Sequence, residues 1–257
     1  VQIDRNGAVE GIGTLGWMNT SPDRHPKALL FDVQGTVTDF HSTVRRSAER
    51  ICGMRYPGVN WSEFVNSWRA MYFESTSRPD DLSDQWTTVD SIYRRSLDAL
   101  LEREDLEEIG LAEREELNAA WQRLDPWPDA VPGLLRMRGK FALATLSNAD
   151  VCAVISISRH GQLPWDAIFS AEMAGAFKPD PRTYLMACRY LGCDPGDVMM
   201  VASHKYDIRA AGALGMKTAF VARPDELGAD APADVEYSDE FDINAADFSD
   251  LATQLGC

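Results

Sequence analysis

No run of about 18 consecutive apolar residues occurs in the 257-residue sequence, so no segment is long enough to form a transmembrane helix. Residues 1–26 lack the apolar centre of a secretory leader. They are polar, Gly-rich and without periodicity, and are expected to form a loose extension. Cysteine is scarce and odd in number: Cys52, Cys152, Cys188, Cys193 and Cys257, with no C-x-x-C pair. This excludes a disulfide framework and a cysteine zinc site, and predicts free thiols in a reducing, cytoplasmic setting. His25, His41 and His160 have no ligand spacing, so no metal site is expected, and no motif calls for a cofactor. Basic residues are in deficit: 25 Lys and Arg against 40 Asp and Glu leave a formal charge of −15. Such a surface repels phosphate backbones and anionic lipid, which argues against nucleic-acid and membrane partners. A small anionic substrate needs a local pocket of positive charge within that field.

What is present is apolar material enough for a sizeable core, 45% of the chain. The first strong element is Ala28-Leu29-Leu30-Phe31, which ends at Asp32 and the loop Val33-Gln34-Gly35-Thr36. It reads as a buried parallel strand with polar groups at its C-terminal tip. Residues 41–124 then change character, with Arg, Glu, Trp and Leu at helical spacing. Helices are expected from a Ser42 cap to Cys52, from an Asn60 cap over 61–74, over 82–104 and over 111–124. Residues 41–127 therefore read as a helical cap domain, inserted into an α/β core of residues 27–40 and 128–257. Pro126-Trp127-Pro128 marks the return. Beyond it, helices (131–138, 150–160, 182–191, 206–214) alternate with strands (141–146, 167–171, 198–202, 218–221). This rhythm predicts a doubly wound, Rossmann-like parallel sheet. The acidic stretch 225–242 reads as a solvated loop.

Open α/β sheets place their chemistry at the strand tips. Asp32 follows the first strand, Ser147 and Asn148 a later one, and Ser203 and His204 a third. Lys178 precedes Pro179-Asp180-Pro181, and Asp207 opens the helix after the 198–202 strand. In a parallel sheet these groups converge. A carboxylate beside Lys178 stays ionised and available as a nucleophile, while Ser147, Asn148 and backbone N–H groups after Asp32 can hold an anion. Each residue alone has a plainer reading. Asp32 fits a turn, Lys178 a solvated helix start and Arg69 a surface position. Tyr184 can pack its helix, Gln34 can bond loop backbone, and His204 can sit as a polar group at a helix start.

Taken in order, FDVQGTVTD, LATLSN, FKPDPRTY and VASHKYDIRAAGALGMKTAFV resemble motifs I to IV of the haloacid dehalogenase superfamily. The resemblance spans about residues 27–255, with the helical insert where that superfamily carries its cap. Phosphatases of the superfamily use D-x-D and bind Mg²⁺ through further motif IV carboxylates. Here Gln34 takes the place of the second Asp and cannot trade protons at neutral pH. Only Asp207 remains in motif IV, a poor set for a hard cation. The metal-free L-2-haloacid dehalogenase branch is the better likeness. Phe40, His41, Ser42 and Val44 repeat its F-x-H-S-x-V stretch, and Trp68-Arg69 its cap-domain pair. Lys178, Pro179, Asp180 and Tyr184 repeat its K-P-D-x-x-x-Y pattern, and Tyr206-Asp207 its late aromatic–aspartate pair. Gln34 in place of Tyr, Ala202 in place of Ser and His204 in place of Asn are departures that bear on the leaving group and substrate size.

The resemblance implies a reaction as well as a fold. Asp32 attacks C2 of a small 2-substituted carboxylate, an (S)-2-haloacid. Arg69, with Asn148, takes the halide, and Ser147 holds the substrate carboxylate. Water positioned by Asp207 and His204 then hydrolyses the aspartyl ester to an inverted 2-hydroxy acid, without metal or other cofactor. Gln34, Tyr184, Tyr206 and Trp68 belong to the same site, and a homodimer is implied by the same likeness. The alternatives are a hydrolase of C–N bonds or strained rings of the azetidine-2-carboxylate type, a phosphatase of this superfamily, and, from a different class, a catalytically silent binding protein of this fold.

Overall fold

Ala28–Phe31 (β1) has four apolar residues without a polar break, and all four are buried. A strand of this kind belongs inside a sheet covered on both faces. The computed structural model describes residues 25–77, 86–229 and 231–257. Residues 1–24 of the expected extension and 82–85 of the helix expected over 82–104 lie outside the described residues. With β4 (Ala142–Ser147), β5 (Ala167–Ser170), β6 (Val198–Ala202), β7 (Lys217–Val221) and β8 (Ile243–Ala245), β1 forms a six-stranded sheet. The order is β5-β4-β1-β6-β7-β8 and every pair is parallel.

Alternation along the strands feeds two separate layers. Leu29, Phe31, Leu143 and Val201 pack with α5 (Ala130–Arg138), α6 (Val151–His160) and α9 (Phe248–Gln254). Leu30, Ala144, Leu146 and Met200 pack with α7 (Pro181–Leu191) and α8 (Lys205–Ala213). The fold is thus the doubly wound α/β arrangement. The chain winds from β1 out to β4 and β5, then returns past β1 to β6, so the crevice outside β1 lies at the switch of direction.

Between β1 and α5 the chain builds α1 (Phe40–Cys52), α2 (Trp61–Ser77), α3 (Val89–Arg103) and α4 (Leu111–Ala119). It leaves and returns through a two-residue antiparallel ribbon, β2 (Thr38–Asp39) against β3 (Asp125–Pro126). The helices bury one another through aromatic faces: Tyr93 stacks on Trp121 at 4.1 Å and on Tyr72 at 4.6 Å between ring centres. Trp68, fully buried, donates its indole N–H to the Tyr93 carbonyl at 2.8 Å.

Four details differ from the sequence expectation. The helix expected over 82–104 begins only at Val89, capped by Thr88, so Trp86 and Thr87 lie outside it. The cap of α1 is Asp39, whose carboxylate accepts from Ser42 N at 2.9 Å, so Ser42 lies inside the helix rather than at its start. The helix expected over 111–124 stops at Ala119 and tightens into a 3₁₀ turn, Ala120–Gln122. β8 and α9 were not expected at all, because a three-residue edge strand and a seven-residue helix carry too little periodicity to read. Among the described residues no helix is long and apolar enough to cross a membrane.

Candidate active site

Asp32 stands one residue past β1, and its backbone N–H still reaches the Val201 carbonyl at 3.0 Å. That bond extends the ladder and fixes the carboxylate at the centre of the sheet's C-terminal edge. The chain then turns sharply: Val37 N and Thr38 N both return to the Val33 carbonyl at 3.0 and 3.1 Å. Gly35 at φ +94° supplies the left-handed backbone that the turn requires. Thr36 is thereby folded back to donate to Asp32 Oδ2 at 2.8 Å, and its Oγ1 accepts from Ser203 N at 2.9 Å.

Lys178 reaches the same carboxylate from the loop before α7. Its Nζ lies 3.0 Å from Asp32 Oδ1 and also pairs with Asp207 Oδ2 at the start of α8. All three groups are buried. Burial alone would raise the Asp32 pKa, but the Lys178 charge and the hydrogen bond from His204 outweigh it and hold Asp32 well below the usual carboxylate range. Asp207 moves the other way, raised by burial and by the like charge of Asp32 against the opposing pull of Lys178. Lys178 is raised, because the two carboxylates overcome its desolvation, and it stays charged. Two neighbouring carboxylates are thus set apart, one fully ionised and one more basic.

The remaining residues singled out from the sequence fall into two groups. Arg69 and Gln34 meet directly, Nη1 to Oε1 at 2.8 Å, and the same nitrogen donates to Tyr93 Oη at 2.6 Å. The guanidinium is buried among the rings of Phe40, Tyr72 and Phe73, 4.8–5.0 Å from their centres. Among the described residues no carboxylate pairs with it. Arg69, His204 and Tyr206 line a cavity of about 640 Å³ between α2 and the core, whose walls include Phe40, Phe73 and Leu227. Ser147 ends β4 at the same sheet edge, 1% exposed.

Asn148, Tyr184 and Trp68 stand behind this layer. Asn148 clamps the Lys178 backbone from both sides, accepting from its N–H at 2.7 Å and donating to its carbonyl at 3.1 Å. Tyr184 donates to Asp207 Oδ1 at 2.6 Å from a fully buried position. Trp68 supports Tyr93, and through it Arg69.

Residues that the sequence did not single out complete the site. Tyr93 shares Arg69 with Gln34, and Thr36 bonds the Asp32 carboxylate. Glu226 accepts from His204 Nε2 at 2.7 Å, while His204 Nδ1 lies 3.1 Å from Asp32 Oδ2. The reading of 225–242 as a solvated loop is corrected here. Glu226 is 8% exposed, Phe241 is buried, and Asp242 accepts from Thr218 N at 2.7 Å to tie the segment to β7. Thr36 sat within a quoted motif and could have been found. Glu226 carries no signal that separates it from the acidic residues around it.

A family model described as haloacid dehalogenase-like hydrolase matches residues 26–215. (S)-2-haloacid dehalogenase 4A of Burkholderia cepacia is 30% identical over 205 residues, covering 77% of this chain and 83% of that protein. Among solved structures, the L-2-haloacid dehalogenase PA0810 is 36% identical with a TM-score of 0.82, covering 90% of this chain and 99% of that one. The Xanthobacter autotrophicus L-2-haloacid dehalogenase with chloropropionic acid covalently bound is 27% identical with a TM-score of 0.76, covering 90% and 98%. The match of the family model over most of the chain, together with these relatives, shows that the chain belongs to the haloacid dehalogenase-like hydrolases.

Proposed function

We propose that this hydrolase is a metal-independent (S)-2-haloacid dehalogenase acting through an ester on Asp32. The observation that carries the reading is the pairing of two opposites at one strand tip. Asp32 is held ionised by Lys178, and near its loop a buried Arg69 has no anionic partner among the described residues. A carboxylate nucleophile needs the first, and a departing halide needs the second. The names of the relatives, and the covalent chloropropionic acid of one of them, point the same way.

In this reading Asp32 attacks C2 from the side opposite the halogen, and the halide leaves into the N–H groups of Arg69. Gln34, Tyr93 and the surrounding rings hold that guanidinium in place. Ser147 and backbone N–H groups of the 33–36 loop receive the substrate carboxylate. Lys178, kept in register by Asn148, stabilises Asp32 before attack. Asp207, aimed by Tyr184, takes a proton from the water that opens the ester at the Asp32 carbonyl carbon. Tyr206 forms part of the cavity wall, and the segment 41–127 acts as a cap over the core.

The donor set does not suit a divalent metal. Both Asp32 oxygens already face cationic or hydroxyl donors, Lys178 on one and His204 with Thr36 on the other, and Gln34 replaces a second carboxylate. A hard cation would have to displace Lys178 from between the two aspartates.

The test is a single turnover of (S)-2-chloropropionate in H₂¹⁸O with EDTA present, read by mass spectrometry of the Asp32 peptide. Label in Asp32, halide release and (R)-lactate are expected, and Asp32→Asn should abolish all three. Full halide release by Asp32→Asn, or label only in the lactate, would sink the covalent step.

A further inference from the structure

His204 stands between two carboxylates, Asp32 Oδ2 on Nδ1 and Glu226 Oε1 on Nε2. An ionised carboxylate only accepts, so a ring bonded to one at each nitrogen must carry a proton on both. The packing commits to this arrangement. A methyl group on Gly35 would collide with Glu226 Oε1 and lie 3.2 Å from His204 Cε1, so only glycine at this turn lets the pair lie over the nucleophile loop. The two Asp32 oxygens are served unequally. Oδ2 accepts from Thr36 Oγ1 at 2.8 Å and from His204, while Oδ1 faces Lys178.

Resting on the ester reading above, we propose that Glu226 is a positioning residue for ester hydrolysis, holding His204 as an imidazolium that, with Thr36, stabilises the oxyanion formed on Asp32 Oδ2. Oδ1 is then the attacking oxygen. It forms the bond to C2 as the carbon–halogen bond breaks and the halide leaves with the electron pair. Water next adds to the Asp32 carbonyl carbon and gives one proton to Asp207. Negative charge gathers on Oδ2 between Thr36 and His204. The bond between Oδ1 and the Asp32 carboxyl carbon breaks, and Oδ1 leaves as the product hydroxyl, protonated from Lys178, which recovers its proton from Asp207; the second water proton, left on the Asp32 carboxyl, passes to solvent and restores the carboxylate. The water oxygen stays on Asp32, so the net change is water and haloacid to hydroxy acid, halide and one proton. A doubly protonated ring cannot also accept the proton of that water, so the base role falls to Asp207 alone.

The groups facing His204 are Asp32 beyond β1, Glu226 in the loop after β7, Tyr206 on α8, and Arg69 and Phe73 across the cavity on α2. Burial would lower the His204 pKa, but the Glu226 charge and the two carboxylate hydrogen bonds raise it to about 10. The Tyr206 hydroxyl titrates well above its ordinary value, because it is buried near Asp207 and Asp32.

The experiment compares wild type with Glu226→Gln, Glu226→Asp and His204→Asn, measuring halide burst, steady-state turnover and ester on Asp32. For Glu226→Gln the burst should stay within a few-fold of wild type. Hydrolysis should slow by about 10- to 1,000-fold, the scale of losing one oxyanion donor, and ester should accumulate. The alkaline limb of turnover should move from near pH 10 towards the ordinary histidine range, and Glu226→Asp should recover part of both effects. Unchanged hydrolysis and an unchanged alkaline limb in Glu226→Gln, with ester formed normally by wild type, would overturn this role while leaving the ester reading intact. Equal slowing of both steps with a lowered Tm would reduce Glu226 to a structural residue. Absence of any Asp32 ester in wild type would defeat the underlying reading as well.

Discussion

Lys178 acts on its two carboxylates differently because their other neighbours differ. Asp32 has His204 and Thr36 to share its charge, whereas Asp207 has the Tyr184 hydroxyl and the nearby negative charge of Asp32. In the proposed reaction Asp207 must be ionised to take the water proton, so the rate should fall as pH drops through its raised pKa, which burial and the Asp32 charge lift above the usual Asp value and above that of Asp32. The sign is opposite for Asp32. Its lowered pKa contributes stability at all pH values above the ordinary carboxylate pKa, and that stability is lost only as pH falls through the depressed value. Replacing Lys178 with Met removes the counter-charge and leaves burial to raise the Asp32 pKa. Turnover at neutral pH should fall at least about 100-fold, with the acid limb moving to higher pH. An acid limb that stayed in place would mean that Lys178 sets the charge of neither carboxylate.

At the scale of elements, α3 ties the helical segment between β1 and α5 to the sheet and its helices. Its first backbone N–H groups are capped from the core: Asp150, at the start of α6, accepts from Val89 N at 2.9 Å and from Asp90 N at 2.8 Å. The same helix carries Tyr93, which holds Arg69. One carboxylate therefore serves both the seating of a helix and the aim of a guanidinium some distance away. Asp150→Ala should lower stability by about 1–2 kcal/mol, the usual cost of losing a capping acceptor, as read by urea unfolding. It should also weaken turnover more than a surface Asp→Ala control such as Asp239→Ala. Equal turnover in the two variants would show that α3 keeps its seat without Asp150. Tyr72 ties α2 to the other side of the crevice, donating to the Asn148 carbonyl at 2.9 Å, so two of these helices are bonded to loops that carry candidate site residues.

For the whole molecule the governing quantity is the charge of −15. In the proposed reaction a carboxylate substrate approaches against that field and meets positive charge only locally, from groups that include Arg69, Lys205 and Arg209 at the cavity. Two of these three are already matched, Lys205 by Asp234 and Arg209 by Glu240. Long-range repulsion is screened once the Debye length falls to about 10 Å, near 0.1 M salt. Raising ionic strength with a sulfate salt, which adds no halide, should increase kcat/KM by a few-fold and leave kcat unchanged. A decrease would mean that the cavity's own basic groups dominate the approach.

The legible part of this protein was local. The apolar run of β1, the helix–strand alternation after Pro126 and the helical spacing of 41–124 all arise from neighbours in sequence, so periodicity alone gives the parallel sheet and its insert. Asp32, Lys178 and Asp207 could be picked out because a strand tip is readable and parallel tips must converge. The short β8 and α9 carry too little pattern, and Ser42 reads as the cap in sequence although Asp39, three residues earlier with equal chemistry, holds that place. Composition, net charge, the parallel strands and the identity of the candidate nucleophile were thus determined by the sequence alone. Only the tertiary structure decided that Glu226, an acidic residue among many, lies buried against His204, that His204 reaches back across 172 positions to Asp32, and that Arg69 turns inward to Gln34 and Tyr93. These partners are brought together by packing of surfaces distant along the chain, and no periodicity within a segment encodes which distant charge it will face.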